Sequence, residues 1–132
     1  MFCFLAGCSN LGHEFDGLQK PNANEVLIYY YRPSKFVGCG EFYDVKENGK
    51  KVTTLYNGGY FLHKTISEKK VITAKTETSS DLSFFPENGE TYFVRGKIKI
   101  GALVGRPELE LVEKEVALKE LQNCKIIEQK NE

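Results

Sequence analysis

Turn signals recur at short intervals along most of this chain. Asn48-Gly49, Asn57-Gly58-Gly59 and Pro86-Glu87-Asn88-Gly89 each separate two short runs that are rich in β-branched and aromatic residues. Asn-Gly is a strong hairpin signal, because both central residues of the tight turn need a positive φ. Turns spaced about 8–12 residues apart are typical of an antiparallel sandwich or barrel. The sequence therefore predicts an all-β domain.

Strands are expected where apolar residues alternate or run together between the turns: residues 25–31, 41–46, 51–56, 60–63, 71–76, 82–85, 91–100 and 107–112. The first of them, EVLIYYY, is apolar on both alternating faces, as in a central strand that is covered on both sides. In its tyrosine row, Tyr29 to Tyr31, we expect at least one side chain to point outward. Only residues 113–122 look helical, because Ala117, Leu118 and Leu121 share one side.

Composition sets further limits on the class of protein. The 132 residues suffice for about one ordinary domain with its own core. Eighteen basic residues balance eighteen acidic ones, and a net charge of zero lacks the positive excess that nucleic-acid binding needs. No run approaches the roughly 18 apolar residues of a membrane-spanning helix. We therefore expect a single domain without a nucleic-acid partner.

The first residues match the end of a bacterial lipoprotein signal peptide. Leu5-Ala6-Gly7-Cys8 fits the lipobox, in which the peptide is cut before the cysteine and that cysteine is acylated. Seven residues precede Cys8 and none is positively charged, so we expect residues 1–7 to be the remnant of a truncated leader. Ser9 in the next position favours the outer membrane, with the protein facing the periplasm or the cell surface. The alternative is a short apolar edge strand that ends in Ala-Gly-Cys.

This interpretation divides the chain into segments. The lipidated Cys8 begins a flexible tether over residues 8–24, which carry Gly, Pro and Asn without periodicity. Residues 25–122 form the sandwich with its C-terminal helix, and residues 123–132 form a tail. Cys3 falls in the leader. Cys39 and Cys124 could pair in an oxidising compartment, or Cys39 could be a small buried apolar residue.

Six short motifs are spread over residues 25–121: Tyr31-Arg32-Pro33-Ser34-Lys35-Phe36-Val37-Gly38, Asn48-Gly49-Lys50, Asn57-Gly58-Gly59-Tyr60-Phe61, Ala74-Lys75-Thr76-Glu77, Tyr92-Phe93-Val94-Arg95-Gly96 and Val104-Gly105-Arg106-Pro107-Glu108-Leu109. Together they resemble a domain-of-unknown-function family of short bacterial envelope lipoproteins. The resemblance implies an antiparallel immunoglobulin-like β-sandwich of about seven to nine strands, anchored through Cys8, and it implies no activity. The chain departs from the family at Ser67-Glu68-Lys69-Lys70, where Pro-Gly is expected before the fifth strand.

Catalytic and metal-binding motifs are absent from the sequence. The two histidines, His13 and His63, are too few for a three-histidine metal site, and there is no Cys-x-x-Cys, Gly-x-Ser-x-Gly or P-loop pattern. We interpret His63 as a strand-end residue packed against Tyr or Phe, and expect neither catalysis nor a cofactor nor a metal. A hydrolase would instead require His63 beside a hydroxyl or a carboxylate in a cleft.

Charges alternate along the two strands of residues 91–112. Arg95, Lys97 and Lys99 share one face of the first strand, and Glu108 and Glu110 share one face of the second. If the strands pair as a hairpin, the basic and acidic rows stand side by side and neutralise each other. The alternative is a positive stripe that recognises a glycan, a lipid phosphate or an acidic partner.

The loop between these strands is unusually apolar. It carries Leu103 and Val104, with Arg106 at its edge. The loop could fold back and plug one end of the sandwich, or it could be a small contact site for a partner. We take Leu103, Val104, Arg106 and Arg95 as the candidate partner-binding residues.

These features predict a lipid-anchored envelope lipoprotein that acts as a non-enzymatic binding or structural module. Its expected contacts are the membrane, through the lipid on Cys8, and an unidentified envelope protein. The alternative is a carrier or sensor of a small envelope ligand, such as a glycan fragment or an acyl chain. That function needs a concave pocket lined by Tyr or Phe.

Overall fold

The computed structural model describes residues 11–36, 38–100 and 105–128, which form ten strands and one helix. These elements are, in chain order, β1 (Leu11–Glu14), β2 (Val26–Tyr31), β3 (Tyr43–Glu47), β4 (Lys50–Leu55), β5 (Gly59–Thr65), β6 (Lys70–Lys75), β7 (Ser79–Phe84), β8 (Thr91–Ile100), β9 (Gly105–Leu111), α1 (Lys114–Leu121) and β10 (Lys125–Ile127).

The strands form two sheets that pack face to face. The six-stranded sheet has the order β1-β10-β5-β2-β8-β9, and the four-stranded sheet has the order β4-β3-β6-β7. The core between them contains Val26, Ile28 and Tyr30 from β2, which meet Val45 and Ile72 from the other sheet. The prediction of an all-β sandwich is confirmed at this level.

β2 is covered on both of its faces, as its sequence predicts. Tyr29 and Tyr31 point away from the sandwich interior and pack against Ala117 and Leu121 at the C-terminal helix α1. Tyr29, Tyr30 and Tyr31 are each at most 1% exposed. Two of the tyrosines thus point outward from the sandwich, as expected, but they are not exposed, because the helix and the N-terminal residues cover the outer face.

Two neighbouring pairs of strands are parallel, and the rest are antiparallel. β2 runs parallel to β8, and β10 runs parallel to β5. The six-stranded sheet is therefore mixed, which corrects the expectation of a purely antiparallel sandwich. The residues between β2 and β8 form β5 and all of the four-stranded sheet, which is long enough to bring β8 back in the direction of β2.

The expected tether and tail differ from the observed structure. Residues 11–14 form β1, the Phe15 ring lies 5.4 Å from the Tyr60 ring, and the Gln19 N–H donates to the Tyr29 hydroxyl at 2.8 Å. In the expected tail, β10 lies between β1 and β5. The flexible tether does not hold for residues 11–19, nor the tail for 125–127, because their apolar side chains cover Tyr29 and Tyr60. With these two extra strands the described residues form ten strands, one more than the upper end of the expected range of seven to nine.

The hairpin turn between β3 and β4 is confirmed. Asn48 and Gly49 have φ values of 51° and 85°, the positive values that this turn requires. The Asn48 side chain also fixes the segment where Pro-Gly was expected. It donates to the Lys69 carbonyl at 3.1 Å and accepts from the Val71 N–H at 2.8 Å. An amide side chain thus supplies hydrogen bonds at a connection that lacks Pro-Gly.

The single helix among the described residues is short, and it lies within the range that the sequence predicts. Ala117 and Leu121 are its buried residues. In the part of the chain that the structure describes, no helix is long and apolar enough to cross a bilayer.

Cys124 follows the helix as a buried, free thiol. Burial, and next the nearby Glu120 carboxylate, raise the pKa of Cys124 to about 12. Because Cys124 is free, it does not form a disulfide with Cys39.

Candidate functional site

The hairpin of β8 and β9 carries a ladder of charged side chains. Its register places Arg95 opposite Glu110, Lys97 opposite Glu108 and Lys99 opposite Arg106. Side chains directly opposite each other lie on the same face of a sheet. The first two rungs join opposite charges, which confirms that the basic and acidic rows stand side by side. The third rung joins two positive charges.

Arg95 is the centre of an ion-pair network. Its guanidinium lies 2.7 Å from Glu110 Oε1 on β9 and 2.9 Å from Glu120 Oε2 on α1. The Tyr31 hydroxyl donates to the other oxygen of Glu120 at 2.5 Å. Partial burial lowers the pKa of Arg95, but its hydrogen bonds to the two carboxylates outweigh this and raise the pKa. Arg95 thus connects the hairpin to the helix, and partner contact through Arg95 stays a prediction.

The rung of Lys99 and Arg106 has no such compensation. Among the residues that the structure describes, no ion pair involves Lys99, Arg106 or the nearby Lys35. The other like-charge rung, Lys46 opposite Lys51, differs because Lys51 lies 3.6 Å from an Asp44 oxygen. Like charges directly opposite each other destabilise a sheet. This end of the hairpin is therefore positively charged at a cost to stability.

A groove of about 300 Å³ lies beside this positive end. Four basic residues, two apolar residues and one acidic residue line it: Arg32, Lys35, Lys97, Lys99, Pro33, Ile98 and Glu108. The excess of basic side chains gives the groove a positive potential, and such a potential attracts anionic groups. Pro33 and Ile98 add apolar surface to its walls.

Arg32 fixes the wall of the groove where the chain leaves β2. Its guanidinium donates to the carbonyl oxygens of Glu41 at 2.7 Å, Gly38 at 2.8 Å and Leu55 at 3.3 Å. It also lies over the Tyr43 ring, 5.9 Å from the centroid. Burial lowers the pKa of Arg32. Because the side chain is 2% exposed and bound to carbonyls, it holds the loop in place and contributes positive charge from below the surface.

The sequence-based candidates are only partly represented at this site. Arg106 is exposed on β9 beside the groove, whereas Leu103, Val104 and Cys8 lie outside the described residues. Sequence analysis missed Arg32 and Lys35, because they are distant from β8 along the chain and follow no periodic pattern. Pro33 was the available signal, since it marks where β2 has to end.

A second polar cluster lies around Glu47 on β3. One carboxylate oxygen accepts from the Tyr30 hydroxyl at 2.6 Å and lies 3.0 Å from His63 Nδ1. The other lies 3.0 Å from the ammonium of Lys70, whose side chain is 1% exposed. Burial favours the neutral carboxyl group, but the hydrogen bonds from His63, Tyr30 and Lys70 outweigh it and lower the pKa of Glu47 to about 2. Glu47 is therefore an ionised group inside the fold.

His63 lies at the edge of this cluster, where its Nδ1 contacts the same Glu47 oxygen as the Tyr30 hydroxyl. It occupies a cleft of about 430 Å³ with Glu47, Thr65 and residues of the β3–β4 hairpin. The hydrolase requirement of a neighbouring carboxylate is thus met. The one hydroxyl among the described residues of the cleft is that of Thr65, which accepts from Lys70 Nζ at 2.8 Å and donates to Glu47 Oε2 at 3.5 Å. A Glu–His pair is thus present, but among the described residues that line the cleft no free hydroxyl or thiol accompanies it.

Metal binding finds no support in the described ranges. They contain no group of three or more His, Cys, Asp or Glu side chains arranged to hold an ion. No family model, curated protein or solved structure matches this chain.

Proposed function

We propose that this chain is a lipid-anchored protein of the bacterial envelope whose immunoglobulin-like sandwich acts as a non-enzymatic binding module. The lipobox Leu5-Ala6-Gly7-Cys8 supports acylation at Cys8, and Ser9 supports the outer membrane as its location. The resemblance to the family of envelope lipoproteins supports the same location. Two stacked sheets with hairpin turns at Asn48-Gly49 are compatible with the fold that the resemblance implies.

The observation that carries the binding role is the uncompensated rung of Lys99 and Arg106 beside the basic groove. A repulsive pair of charges is a cost that an anionic partner would relieve. Phe36 strengthens this interpretation, because it is 82% exposed and follows Lys35 directly in the chain. An exposed aromatic side chain near basic residues is typical of a protein contact surface.

A non-enzymatic role fits the Glu47 cluster as well. The Glu47 charge is matched by Lys70 and held by Tyr30, so the carboxylate serves the packing of the two sheets. General-base catalysis by His63 would need a reactive group within hydrogen-bonding distance. The hydroxyl of Thr65, which lines the same cleft, is engaged by Lys70 and Glu47.

A carrier or sensor of a small envelope ligand is the second candidate. Tyr92 and Phe93 contribute to a surface cleft of about 550 Å³, together with Leu18 and Val112. The space between the sheets is filled by the core, so a glycan fragment or acyl chain would bind at this cleft instead.

Labelling and cross-linking in cells test the proposal. Radioactive palmitate should label the protein, and Cys8→Ser should abolish the label and release the protein from membranes. Chemical cross-linking of the same cells should give one specific protein adduct. Lys99→Glu should reduce that adduct, whereas Lys64→Glu, an exposed control at the other end of the six-stranded sheet, should not. Recovery of lipid or murein fragments without a protein would favour the carrier function.

A further inference from the structure

β8 continues beyond the strand that pairs with it. β2 pairs with β8 only as far as Tyr31 opposite Arg95, whereas the pairing of β8 with β9 continues to Ile100 opposite Gly105. Among the described residues, the end of β8 after Arg95 therefore has a strand neighbour on one side only. A strand edge of this kind is a template for pairing with another extended segment.

The direction of the backbone groups of β8 can be derived from two hydrogen bonds. The Glu90 carbonyl accepts from the Leu27 N–H at 3.1 Å, on the side of β2. The Phe93 carbonyl accepts from the Val112 N–H at 2.9 Å, on the side of β9. Backbone groups alternate in direction along an extended strand, so the N–H and C=O groups of the even-numbered residues of β8 point toward the side on which β2 lies. The N–H and C=O of Ile98 therefore point into the space that β2 has left.

The chain that leaves β2 turns away from this space. The Arg32 N–H donates to the Gly59 carbonyl at 2.9 Å, and the Lys35 N–H donates to the Asn57 side chain at 2.9 Å. Both bonds draw the exit segment toward the start of β5, on the far side from β8. The groove described above lies between this segment and β8, at the position that the next strand would occupy.

The charges along the vacant position select the kind of segment that fits. Lys97 and Lys99 lie on β8, and Lys35 lies across the groove. Glu108 is the acidic residue that lines it, and the Glu41 carboxylate lies beside Gly105 at the end of the hairpin. An extended segment with acidic side chains would place its carboxylates near these ammonium groups, and Ile98 offers an apolar contact. We infer that the groove binds an acidic, extended segment of a partner protein, which adds to the six-stranded sheet along Ile98. This inference rests on the proposed function only in that the domain is a binding module.

The test uses a fluorescein-labelled hexapeptide of alternating Glu and Val, blocked at both ends, and measures its anisotropy with the full chain. Lys99→Glu should weaken binding by about tenfold or more, whereas Lys64→Glu should change it by less than about twofold. Lys99→Glu also creates an opposite-charge rung with Arg106, so misfolding would not explain the loss. Glu108→Gln should tighten binding, because it removes the acidic group from the groove.

Two further measurements separate strand addition from simple charge attraction. The same peptide with alternate backbone amides N-methylated should bind about tenfold more weakly, because it cannot complete the ladder. Saturation with the unmodified peptide should slow hydrogen exchange at the Ile98 amide. Equal binding of the methylated peptide, or unchanged exchange at Ile98, would overturn the inference. So would binding of phosphatidylglycerol vesicles, but not of the peptide, in a manner that Lys99→Glu abolishes.

Failure of strand addition can be distinguished from failure of the proposed function. Absence of acylation at Cys8 would refute the membrane anchor and leave the peptide result standing. A specific protein partner in cells, combined with no peptide binding, would refute strand addition alone.

Discussion

Lys99 on β8 and Arg106 on β9 stand directly opposite each other, two positive side chains at the end of a hairpin whose preceding rungs are neutralised. The neutral rungs lie next to the helix, where Arg95 also reaches Glu120. The positive rung lies where β2 has ended and the groove opens. One end of the hairpin is thus held to the helix by ion pairs, and the other end carries two positive side chains without an ion pair among the described residues.

Replacing Lys99 by Glu should stabilise the fold. The change turns a repulsive rung into an attractive one, and cross-strand charge pairs contribute about 0.2–1 kcal/mol. The free energy of unfolding, measured in urea at low salt, should rise by about that amount. The gain should shrink at 1 M salt, where charges are screened. Lys97→Glu is the matched control and should destabilise, since it places two carboxylates opposite each other. A loss of stability in Lys99→Glu would show that Lys99 makes a favourable contact.

Arg95→Met should destabilise the protein substantially. The variant keeps apolar volume but removes the ion pairs that hold α1 and β9 together. Hydrogen bonds to charged groups contribute about 1.5–3 kcal/mol, so a loss of about 2 kcal/mol is expected in urea unfolding. Lys97→Met, on the same strand and more exposed, should change stability by less than about 0.5 kcal/mol. Similar small effects in both variants would place Arg95 outside the structural network.

Gly96→Ala should disturb the contact between the two sheets. A Cβ at Gly96 would lie 2.5 Å from the Tyr43 hydroxyl oxygen and 2.6 Å from Leu55 Cδ1. Overpacking of this kind costs about 1–3 kcal/mol. Gly40→Ala provides the control, because nothing lies within 4 Å of a Cβ there. Thermal unfolding should show a lower Tm for the first variant only, and equal Tm values would contradict the close approach.

The Glu47 cluster should make stability depend on acid pH. The pKa of Glu47 falls from 4.5 to about 2 on folding, so its ionised form is favoured by the folded state. The corresponding stability is present above about pH 4.5 and is lost as the pH falls toward 2. Over that range the free energy of unfolding should fall more steeply for the natural protein than for Glu47→Gln.

Glu113→Gln is the control for this pH dependence. Glu113 is exposed and makes no capping hydrogen bond at the start of the helix. Its variant should keep the slope of the natural protein. Equal slopes in the natural protein and Glu47→Gln would mean that Glu47 is not the group responsible.

Strand positions could be predicted from the sequence because turn chemistry and alternation are local properties. Asn48 and Gly49 predict their hairpin by residue type alone, and the apolar run EVLIYYY predicts that β2 is buried on both faces. β1 and β10 could not be found this way. Each carries too few apolar residues to show alternation, Leu11 in β1 and Ile126 and Ile127 in β10, and these residues gain their place only by covering a sheet that already exists.

The groove depends on contacts that no local pattern contains. To predict the rung of Lys99 and Arg106, one would have to know the register of the hairpin. To predict the vacant side of β8, one would have to know that β8 pairs in parallel with β2. Lys35 comes near β8 only because Arg32 is held by three backbone carbonyls. The contact of His63 with Glu47 could not be predicted for the same reason, since Glu47 approaches it from the other sheet.

Photo-cross-linking at position 36 tests the central claim most directly. Phe36 is exposed and follows Lys35 of the groove, so a benzoylphenylalanine can replace it without removing a basic side chain. In cells that express the protein with Cys8 intact, the probe should capture one envelope protein through an acidic segment of that protein. The same group at Lys64 should capture nothing specific, because Lys64 lies at the opposite end of the sheet from the groove. Capture of the same proteins from both positions, or of none from position 36, would contradict the account of a binding module that uses this edge.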